Sequence, residues 1–385
     1  MFDLKSIKTK NSEDPKDYIL EDEGLESAVQ MAIWLGKPLL LTGAPGTGKT
    51  RLAYKLANML ATEKNENRDS CAPFLEEPLV FNTKTTSTAT ELFYSYDAIR
   101  HFQKRYVEES KSTEQKSTVI KADSDDEKSI TTRISSAEAT SRSRELSTAH
   151  SFIKLNALGK AIIQAYGSRS IINNGTLNEL QYLQDFDKIE PEPRSSVVLV
   201  DEIDKAPRDF PNDLLNEMEN TEFYISELMN IRIQRPETNA RVLIIITSNF
   251  EKNLPDAFLR RCLFYHIASP SSVELVKILS KRLESHLKEL YKDDQKQFGQ
   301  LLSTLPDNIN SAVTEFDEVK KIIKQKQPAT AELLDWVKSL EQKGFFNESV
   351  DFKKLRPEKR KVLRELASAL AKDDTDLENL KKRYD

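Results

Sequence analysis

Cysteine is scarce in this chain. Among its 385 residues only Cys71 and Cys262 are cysteines, and they lie far apart. Two isolated thiols argue against a disulfide framework and are typical of a reducing compartment. Long apolar runs are also missing: the first residues contain no apolar segment of a secretory signal, and no stretch of about 18 apolar residues occurs anywhere. We therefore expect a cytoplasmic protein without a transmembrane helix.

A dominant charge of one sign is lacking as well. The chain has 57 lysines and arginines against 62 aspartates and glutamates, so its formal net charge is −5. This balance does not indicate binding to nucleic acid or to an anionic membrane. The basic stretch Lys353–Arg364 has acidic residues on both flanks, which favours a solvated helix face. The four histidines and two cysteines show no metal-ligand spacing, so no zinc site is expected.

Short apolar segments alternate with segments of helical periodicity in the first 270 residues. One helix is expected to end at Gly36, and a hairpin is expected at Phe223–Ile233. The expected strands are Pro38–Thr42, Leu79–Thr83, Val197–Val200, Val242–Thr247 and Leu263–Ile267. The further expected helices are Thr50–Thr62, Leu92–Tyr106, Phe152–Tyr166 and Asp209–Glu219. Strands of nearly continuous Val, Leu and Ile that alternate with helices predict an α/β domain with a parallel sheet covered on both faces.

Two segments depart from this pattern. Residues 108–151 are rich in Ser, Thr, Lys, Glu and Asp with almost no large apolar residue, which predicts a disordered or weakly helical insertion. After Pro270 only helices are expected, at Ser272–Leu290, Thr330–Gln342 and Pro357–Leu370. We therefore predict a nucleotide-binding α/β domain over residues 1–270 and a smaller all-helical domain over 271–385, with the boundary at Ser269–Ser271.

A glycine-rich segment between a predicted strand and a predicted helix matches the pattern G-x-x-x-x-G-K-[ST]. In order it contains Gly43, Ala44, Pro45, Gly46, Thr47, Gly48, Lys49 and Thr50. Glycine lets backbone N–H groups approach phosphate oxygens, and the following helix offers its positive end to the same anion. Lys49 would reach the β- and γ-phosphates, and Thr50 would ligate Mg²⁺. The alternative, a chance glycine-rich turn, is disfavoured by the flanking strand and helix.

Acidic and amide side chains follow two of the predicted strands. Asp201 and Glu202 come directly after Val197–Val200, and Asn249 follows Val242–Thr247. Ligands of open α/β sheets bind at the carboxyl ends of strands, so Asp201 is expected to hold Mg²⁺ and Glu202 to polarise the attacking water. Asn249 is expected to contact that water and the γ-phosphate. The alternatives are a strand that ends in a solvated turn and an asparagine used for turn chemistry.

Two adjacent arginines, Arg260 and Arg261, end a short predicted helix. They are either ordinary partners of the helix dipole or the source of an arginine finger for a neighbouring subunit. A finger that acts between subunits requires a ring or a filament. The glycine-rich segment Gly43–Thr50 is called the phosphate loop below. We also include Arg51, which follows it, among the nucleotide-binding candidates.

Taken in chain order, Gly43–Thr50, Asp201-Glu202, Asn249 and Arg260-Arg261 resemble the AAA+ ATPases. The segments VVLVDEIDKAPRDFPNDLLNEME and IIITSNFEKNLPDAFLRRC resemble the MoxR branch in particular. The resemblance covers residues from about 18 to 270, apart from 108–151, and includes the helical tail only as a lid.

The resemblance implies a P-loop NTPase fold with a five-stranded parallel sheet and a helical lid. It implies Mg²⁺-dependent ATP hydrolysis in a homo-oligomeric ring, usually a hexamer, with Arg261 as the finger and Arg260 as the fallback. The hairpin at Phe223–Ile233 would face the pore or a partner. The implied role is chaperone-like remodelling or activation of a protein partner, commonly a von Willebrand factor A-type protein.

One departure from the family concerns the lid. AAA+ lids usually place an arginine at the start of a lid helix, whereas residues 327–332 here read QPATAE. Lys324, Lys326 or Arg356 would be substitutes, and the sequence does not choose between them. The missing arginine and the long polar insertion favour a rival function, an ATP-operated switch whose output is its assembly state. A DNA-linked motor is a further rival that stays open. The loop recognises phosphates, so it does not distinguish ATP from GTP.

Overall fold

A computed structural model describes residues 22–62, 71–104, 106, 149–214, 218, 221–292 and 295–385. The chain forms two compact units. The described residues of the first, the sheet unit, lie within Glu23–Leu41 and Leu56–Tyr265. Those of the second, the helical unit, are Asp22 together with residues in Thr42–Lys55 and His266–Asp385. The domain boundary at Ser269–Ser271 stays a prediction.

The strands and the first helices follow the apolar pattern of the sequence. The strands are β1 (Leu39–Thr42), β2 (Leu79–Asn82), β3 (Tyr94–Tyr96), β4 (Ile153–Leu155), β5 (Ser196–Asp201), β6 (Glu222–Ile225), β7 (Ile231–Gln234), β8 (Val242–Ser248) and β9 (Leu263–His266). The longer helices of this part are α1 (Glu23–Leu35), α2 (Lys49–Thr62) and α3 (Ala157–Tyr166). Short helices occur at Ser168–Ile172, Phe210–Asp213 and Asp256–Leu259.

Five of these strands form one parallel sheet in the order β2-β5-β8-β1-β9. All five were predicted from sequence, with small shifts at their ends. The central strand β5 pairs on both sides, so Val198 lies between Leu79 of β2 and Ile244 of β8. Because helices cover both faces of such a sheet, β1 and most of β5 and β8 are buried, as their continuous apolar runs require. The α/β class and the five-stranded parallel sheet are confirmed.

The helix predicted at Leu92–Tyr106 is wrong for its first half. Tyr94–Tyr96 is a strand that pairs antiparallel with Ile153–Leu155, whereas the described residues 98–104 and 106 are helical. Aromatic residues fit a pleated surface, and the rings of Phe93 and Tyr94 pack against Phe223 with centroids 5.0 and 6.4 Å apart. Core packing therefore explains this end of the aromatic segment. The predicted insertion at 108–151 lies outside the described residues up to position 148.

The helix predicted at Phe152–Tyr166 begins later than expected. Residues 153–155 form β4, and α3 begins only at Ala157. The helix predicted at Asp209–Glu219 is represented by Phe210–Asp213, and part of the rest lies outside the described residues. The hairpin predicted at Phe223–Ile233 is confirmed as the antiparallel pair β6 and β7.

The helical unit contains more helices than the sequence pattern indicated. Beyond α2 they are α4 (Ser272–Leu290), α5 (Gln295–Ile322), α6 (Thr330–Gln342), α7 (Pro357–Glu365) and α8 (Asp374–Arg383). α4 and α6 match their predicted bounds, whereas α7 ends before a 3₁₀ turn at Ala367–Ala369. α5 and α8 were missed. α5 contains Pro306, a residue that usually interrupts a helix, and this obscures its period.

A separate apolar core holds the helical unit together. It includes Phe316, Trp336 and Phe345, each almost completely buried. Ser271 caps α4 by a reciprocal arrangement in which its hydroxyl accepts from the N–H of Glu274 and its own N–H donates to the Glu274 carboxylate. Among the described residues, no helix has both the length and the apolar composition needed to cross a membrane.

Candidate functional site

The phosphate loop follows β1 without a break and ends where α2 begins at Lys49. Gly43 and Gly46 both have positive φ angles, of 150° and 78°. A Cβ atom on Gly43 would lie 2.5 Å from the carbonyl oxygen of Ile267, and one on Gly46 would lie 2.9 Å from the Cβ of Ala329. Only glycine fits these two places, because a side chain would clash and would also disfavour the backbone angle.

The ammonium group of Lys49 is folded back over this loop. The residue is 7% exposed, and its Nζ donates to the carbonyl oxygens of Gly43 at 2.9 Å and Ala44 at 3.0 Å. The hydroxyl of Thr47 donates to the same Ala44 oxygen at 2.9 Å. A positive charge is thus held inside the curve of the loop. This arrangement suits the binding of a phosphate group, whose oxygens accept from such a donor.

The start of α6 lies against the phosphate loop within the helical unit. Ala329 and Ala331 are the residues nearest to the position of a Cβ on Gly46. Ala329 is followed by Thr330 and Glu332, and the Glu332 carboxylate accepts from the N–H of Ala329 at 3.1 Å. This part of the helical unit therefore presents the small side chains of Ala329 and Ala331 to the loop.

Arg51 lies beside other charged groups of the helical unit. The pKa of Arg51 is lowered to about 10, mainly by burial and then by the charge of Arg282, while the charge of Asp335 opposes the change. Burial also lowers the pKa of Lys338, with Asp335 raising it and the two arginines lowering it. Arg282 and Lys338 were not identified from sequence, because they are far from the loop along the chain and follow no motif.

The acidic end of β5 consists of Asp201 and Glu202. One buried threonine of β8 forms hydrogen bonds with both residues. The hydroxyl of Thr247 donates to Asp201 Oδ1 at 2.6 Å and accepts from the N–H of Glu202 at 2.8 Å. Thr247 is fully buried. Both bonds come from β8, so this neighbouring strand fixes the orientation of the Asp201 carboxylate at the end of β5. The sequence did not single out Thr247.

Glu202 marks the point at which β5 stops. Its backbone lies in the left-handed region, with φ 56° and ψ 55°, and a 3₁₀ turn at Ile203–Lys205 follows. Such a conformation costs a residue other than glycine roughly 1–3 kcal/mol. Its Oε1 lies 3.5 Å from the side-chain amide of Asn249, and its Oε2 pairs with Lys205. The structure therefore brings Glu202 and Asn249 together, as predicted for them from the sequence.

A third carboxylate, that of Asp204, holds the segment that carries Asn249. Its Oδ1 accepts from the N–H of Asn249 and its Oδ2 from the N–H of Glu251, both at 3.3 Å. Asp204 is 2% exposed. A buried carboxylate with two backbone donors fixes the loop after β8 to the turn after β5. Asp204 was missed from sequence, although its place two residues after Glu202 was a signal.

Arg260 and Arg261 are both exposed. The N–H of Arg260 donates to the carbonyl oxygen of Asp256, and the guanidinium of Arg261 donates to the carbonyl oxygen of Ala257 at 3.2 Å. These contacts lie within one short helix and its end. They are compatible with either alternative for the arginines, a partner of the helix dipole or a finger for another subunit.

A cavity of about 390 Å³ lies in the sheet unit beside the acidic end. Its walls come from the segments that follow β5 and β8, and they are mostly apolar. The lining residues include Ile203, Asp204, Pro207, Pro211, Leu254 and Pro255. Lys252, also on this wall, donates to the carbonyl oxygen of Ala206 at 3.3 Å.

The residues predicted to hold Mg²⁺ supply oxygen atoms, which are the ligands that this ion prefers. Thr50 offers a hydroxyl and Asp201 a carboxylate, and Mg²⁺ commonly takes few protein ligands beside water and phosphate. Within the part of the chain that the structure describes, no group of three or more His, Cys, Asp and Glu residues is arranged to hold a metal. Each of the two side chains, taken by itself, therefore supplies a donor of the kind that suits Mg²⁺.

Comparison with known proteins identifies no family for this chain. No protein-family model matches it. No curated protein matches it either. Functional inference therefore rests on the motifs and on the geometry described above.

Proposed function

We propose that this protein binds ATP together with Mg²⁺ and hydrolyses it. The observation that carries the proposal is the acidic end of β5, where Glu202 contacts Asn249 and Asp201 is oriented by Thr247. Phosphoryl transfer to water needs a positioned base and an oriented nucleophile more than covalent chemistry. A carboxylate and an amide on neighbouring strands supply both.

The order of the strands supports the proposal. β1, which leads into the phosphate loop, neighbours β8, and β8 neighbours β5. Within the sheet unit, Asp201 and Asn249 therefore lie at the carboxyl ends of the adjacent parallel strands β5 and β8. Ligands of open α/β sheets bind at this edge.

Each residue has a distinct role in the proposed reaction. Lys49 and the loop amides bind the β- and γ-phosphates, and Arg51 belongs to the same nucleotide-binding segment. Thr50 and Asp201 hold Mg²⁺, which when bound neutralises charge on the phosphates. Glu202 takes the proton from the attacking water, and Asn249 orients that water towards the γ-phosphate.

The proposed working form is a homo-oligomeric ring, with six subunits as in the AAA+ proteins that the motifs resemble. In that form Arg261, or Arg260 in its place, reaches the nucleotide of a neighbouring subunit and neutralises transition-state charge. The exposure of both arginines supports this role. The output is remodelling or activation of a protein partner, for which a von Willebrand factor A-type protein is the first candidate.

The deciding experiment compares Glu202→Gln with the wild-type chain. Binding of a fluorescent ATP analogue and release of phosphate are measured in the presence of Mg²⁺. We expect binding to be retained and turnover to fall by about 100-fold or more, because the variant keeps the shape but loses the base. Glu77→Gln, which changes an exposed glutamate elsewhere in the sheet unit, serves as the control. If the Glu202→Gln variant hydrolyses ATP at the wild-type rate, Glu202 is not the base of the reaction.

A second candidate is an ATP-operated switch whose assembly state is its output. The observation that favours it is the start of α6, which presents Ala329 and Ala331 to the loop rather than an arginine. Without that cation, the lid has a weaker means of sensing the γ-phosphate. Molecular mass measured with ATP and with ADP, together with turnover measured with and without a candidate partner, separates the two. A remodelling enzyme is stimulated by its partner, whereas a switch changes mass with the nucleotide.

A further inference from the structure

Both carboxylate oxygens of Glu202 already have a partner. Oε1 faces the side-chain amide of Asn249 at 3.5 Å, and Oε2 forms an ion pair with the ammonium group of Lys205. A general base must offer a lone pair to the proton of water at roughly 2.6–3.2 Å. The ammonium group competes with water for one of the two oxygens that would do this.

The backbone holds Lys205 in this position. Glu202 begins the 3₁₀ turn, and the N–H of Lys205 donates to the carbonyl oxygen of Glu202 at 2.9 Å. This backbone bond keeps the two residues close to each other, and it leaves the side chain of Lys205 within reach of the Glu202 carboxylate. The left-handed conformation of Glu202 and the turn after it therefore place the lysine over the carboxylate.

The pair is also suited to being broken. The side chains of Lys205 and Glu202 are 46% and 37% exposed, and ion pairs in contact with solvent are weak. The hydrogen bond from Lys205 to Glu202, followed by the charge of Glu202, raises the pKa of Lys205, and the charges of Glu251 and Asp201 add to this. Two other carboxylates, those of Glu251 and Asp201, act on the ammonium group of Lys205 and can attract it when its ion pair with Glu202 breaks.

We propose that Lys205 is a positioning residue that restrains Glu202, so that the pair must separate before Glu202 can accept a proton from the attacking water. This inference rests on the proposed ATPase function and concerns its regulation. The restraint lowers the basal rate of hydrolysis. A partner or neighbouring subunit that attracts the lysine away from Glu202 raises that rate without a new catalytic group.

The test uses the full chain with two substitutions at one position. Lys205→Met removes the charge and keeps the length of the side chain, whereas Lys205→Arg keeps the charge. We expect Lys205→Met to raise kcat for ATP about two- to fivefold, the shift that loss of one exposed ion pair permits. KM is expected to stay within about twofold, because the lysine does not bind the nucleotide. Lys205→Arg is expected to behave as the wild type.

The control is Lys188→Met, which removes an ion pair of the same spacing, with Asp185 at 2.8 Å, elsewhere in the sheet unit. Its kcat is expected not to change. A kcat for Lys205→Met that is unchanged or lower would overturn the inference, as would an equal rise in Lys205→Arg. Glu202→Gln separates this failure from that of the proposed function. If Glu202→Gln is inactive while Lys205→Met is not faster, hydrolysis stands and the restraint is refuted; if Glu202→Gln turns over normally, both are refuted.

Discussion

The phosphate loop and the acidic end of β5 differ in how their residues are brought together. The loop is one contiguous segment, and the contacts of Lys49 with Gly43 and Ala44 span only a few residues. The acidic end joins two strands that are far apart in sequence, through Thr247 and Asp204. The conformation of the phosphate loop is therefore fixed by contacts within one segment, whereas the arrangement of the acidic end depends on the packing of β5 against β8. Substitutions in the first should therefore affect binding, and those in the second should affect turnover.

The largest effect is expected for Lys49→Ala. In the proposed complex this lysine would make charge-assisted hydrogen bonds with phosphate worth roughly 1.5–3 kcal/mol each, so affinity for ATP should fall by about 100-fold or more. Titration with a fluorescent ATP analogue measures the change. Lys37→Ala, which removes an exposed lysine just before β1, is the control and should bind normally. Retained affinity in the Lys49 variant would mean that the loop does not bind the nucleotide.

A smaller effect is expected for Gly43→Ala. The added Cβ would lie 2.5 Å from the carbonyl oxygen of Ile267 at a φ of 150°. This strain should lower the free energy of unfolding by about 1–3 kcal/mol and weaken nucleotide binding. Thermal unfolding with and without ATP measures both. Gly175→Ala, where a Cβ meets no atom within 4 Å, should leave both unchanged. Equal behaviour of the two variants would show that the loop tolerates rearrangement.

The smallest effect in this comparison is expected for Asp204→Asn. The N–H groups of Asn249 and Glu251 bond to different oxygens of Asp204, and in asparagine one of these oxygens is replaced by an NH₂ donor, so one of the two bonds is lost. Turnover should fall roughly tenfold through loss of alignment, while ATP affinity stays near the wild-type value. Steady-state kinetics give kcat and KM separately. Asp187→Asn, at an exposed position of the sheet unit, should behave as the wild type. If ATP affinity changes as much as kcat, the acidic end affects binding as well as turnover, and the contrast with the phosphate loop is contradicted.

The central fold was predictable because its signals are local. The strands β1, β5 and β8 are nearly continuous apolar runs, which are typical of strands that are buried on both faces of a parallel sheet. The short strand β3 was not predictable, since its three residues are a strand only through pairing with β4 across the intervening segment. α5 was missed because Pro306 and its many polar residues obscure the helical period.

The candidate site divides in the same way. The loop residues and the Asp201-Glu202 pair follow patterns that the sequence displays directly. The roles of Thr247, Asp204 and Lys205 depend on which atoms face them, and their partners come from another strand or from an unusual turn. Patterns in the sequence identify the groups that do chemistry, and the packing of the sheet identifies those that hold them in place.

The most direct test of the account is a structure of the Glu202→Gln variant with ATP and Mg²⁺. The account predicts one nucleotide whose γ-phosphate contacts Lys49 and faces Asn249, with Mg²⁺ bound by Thr50 and Asp201. A nucleotide bound by the loop while Asp201 and Asn249 lie away from its phosphates would contradict it.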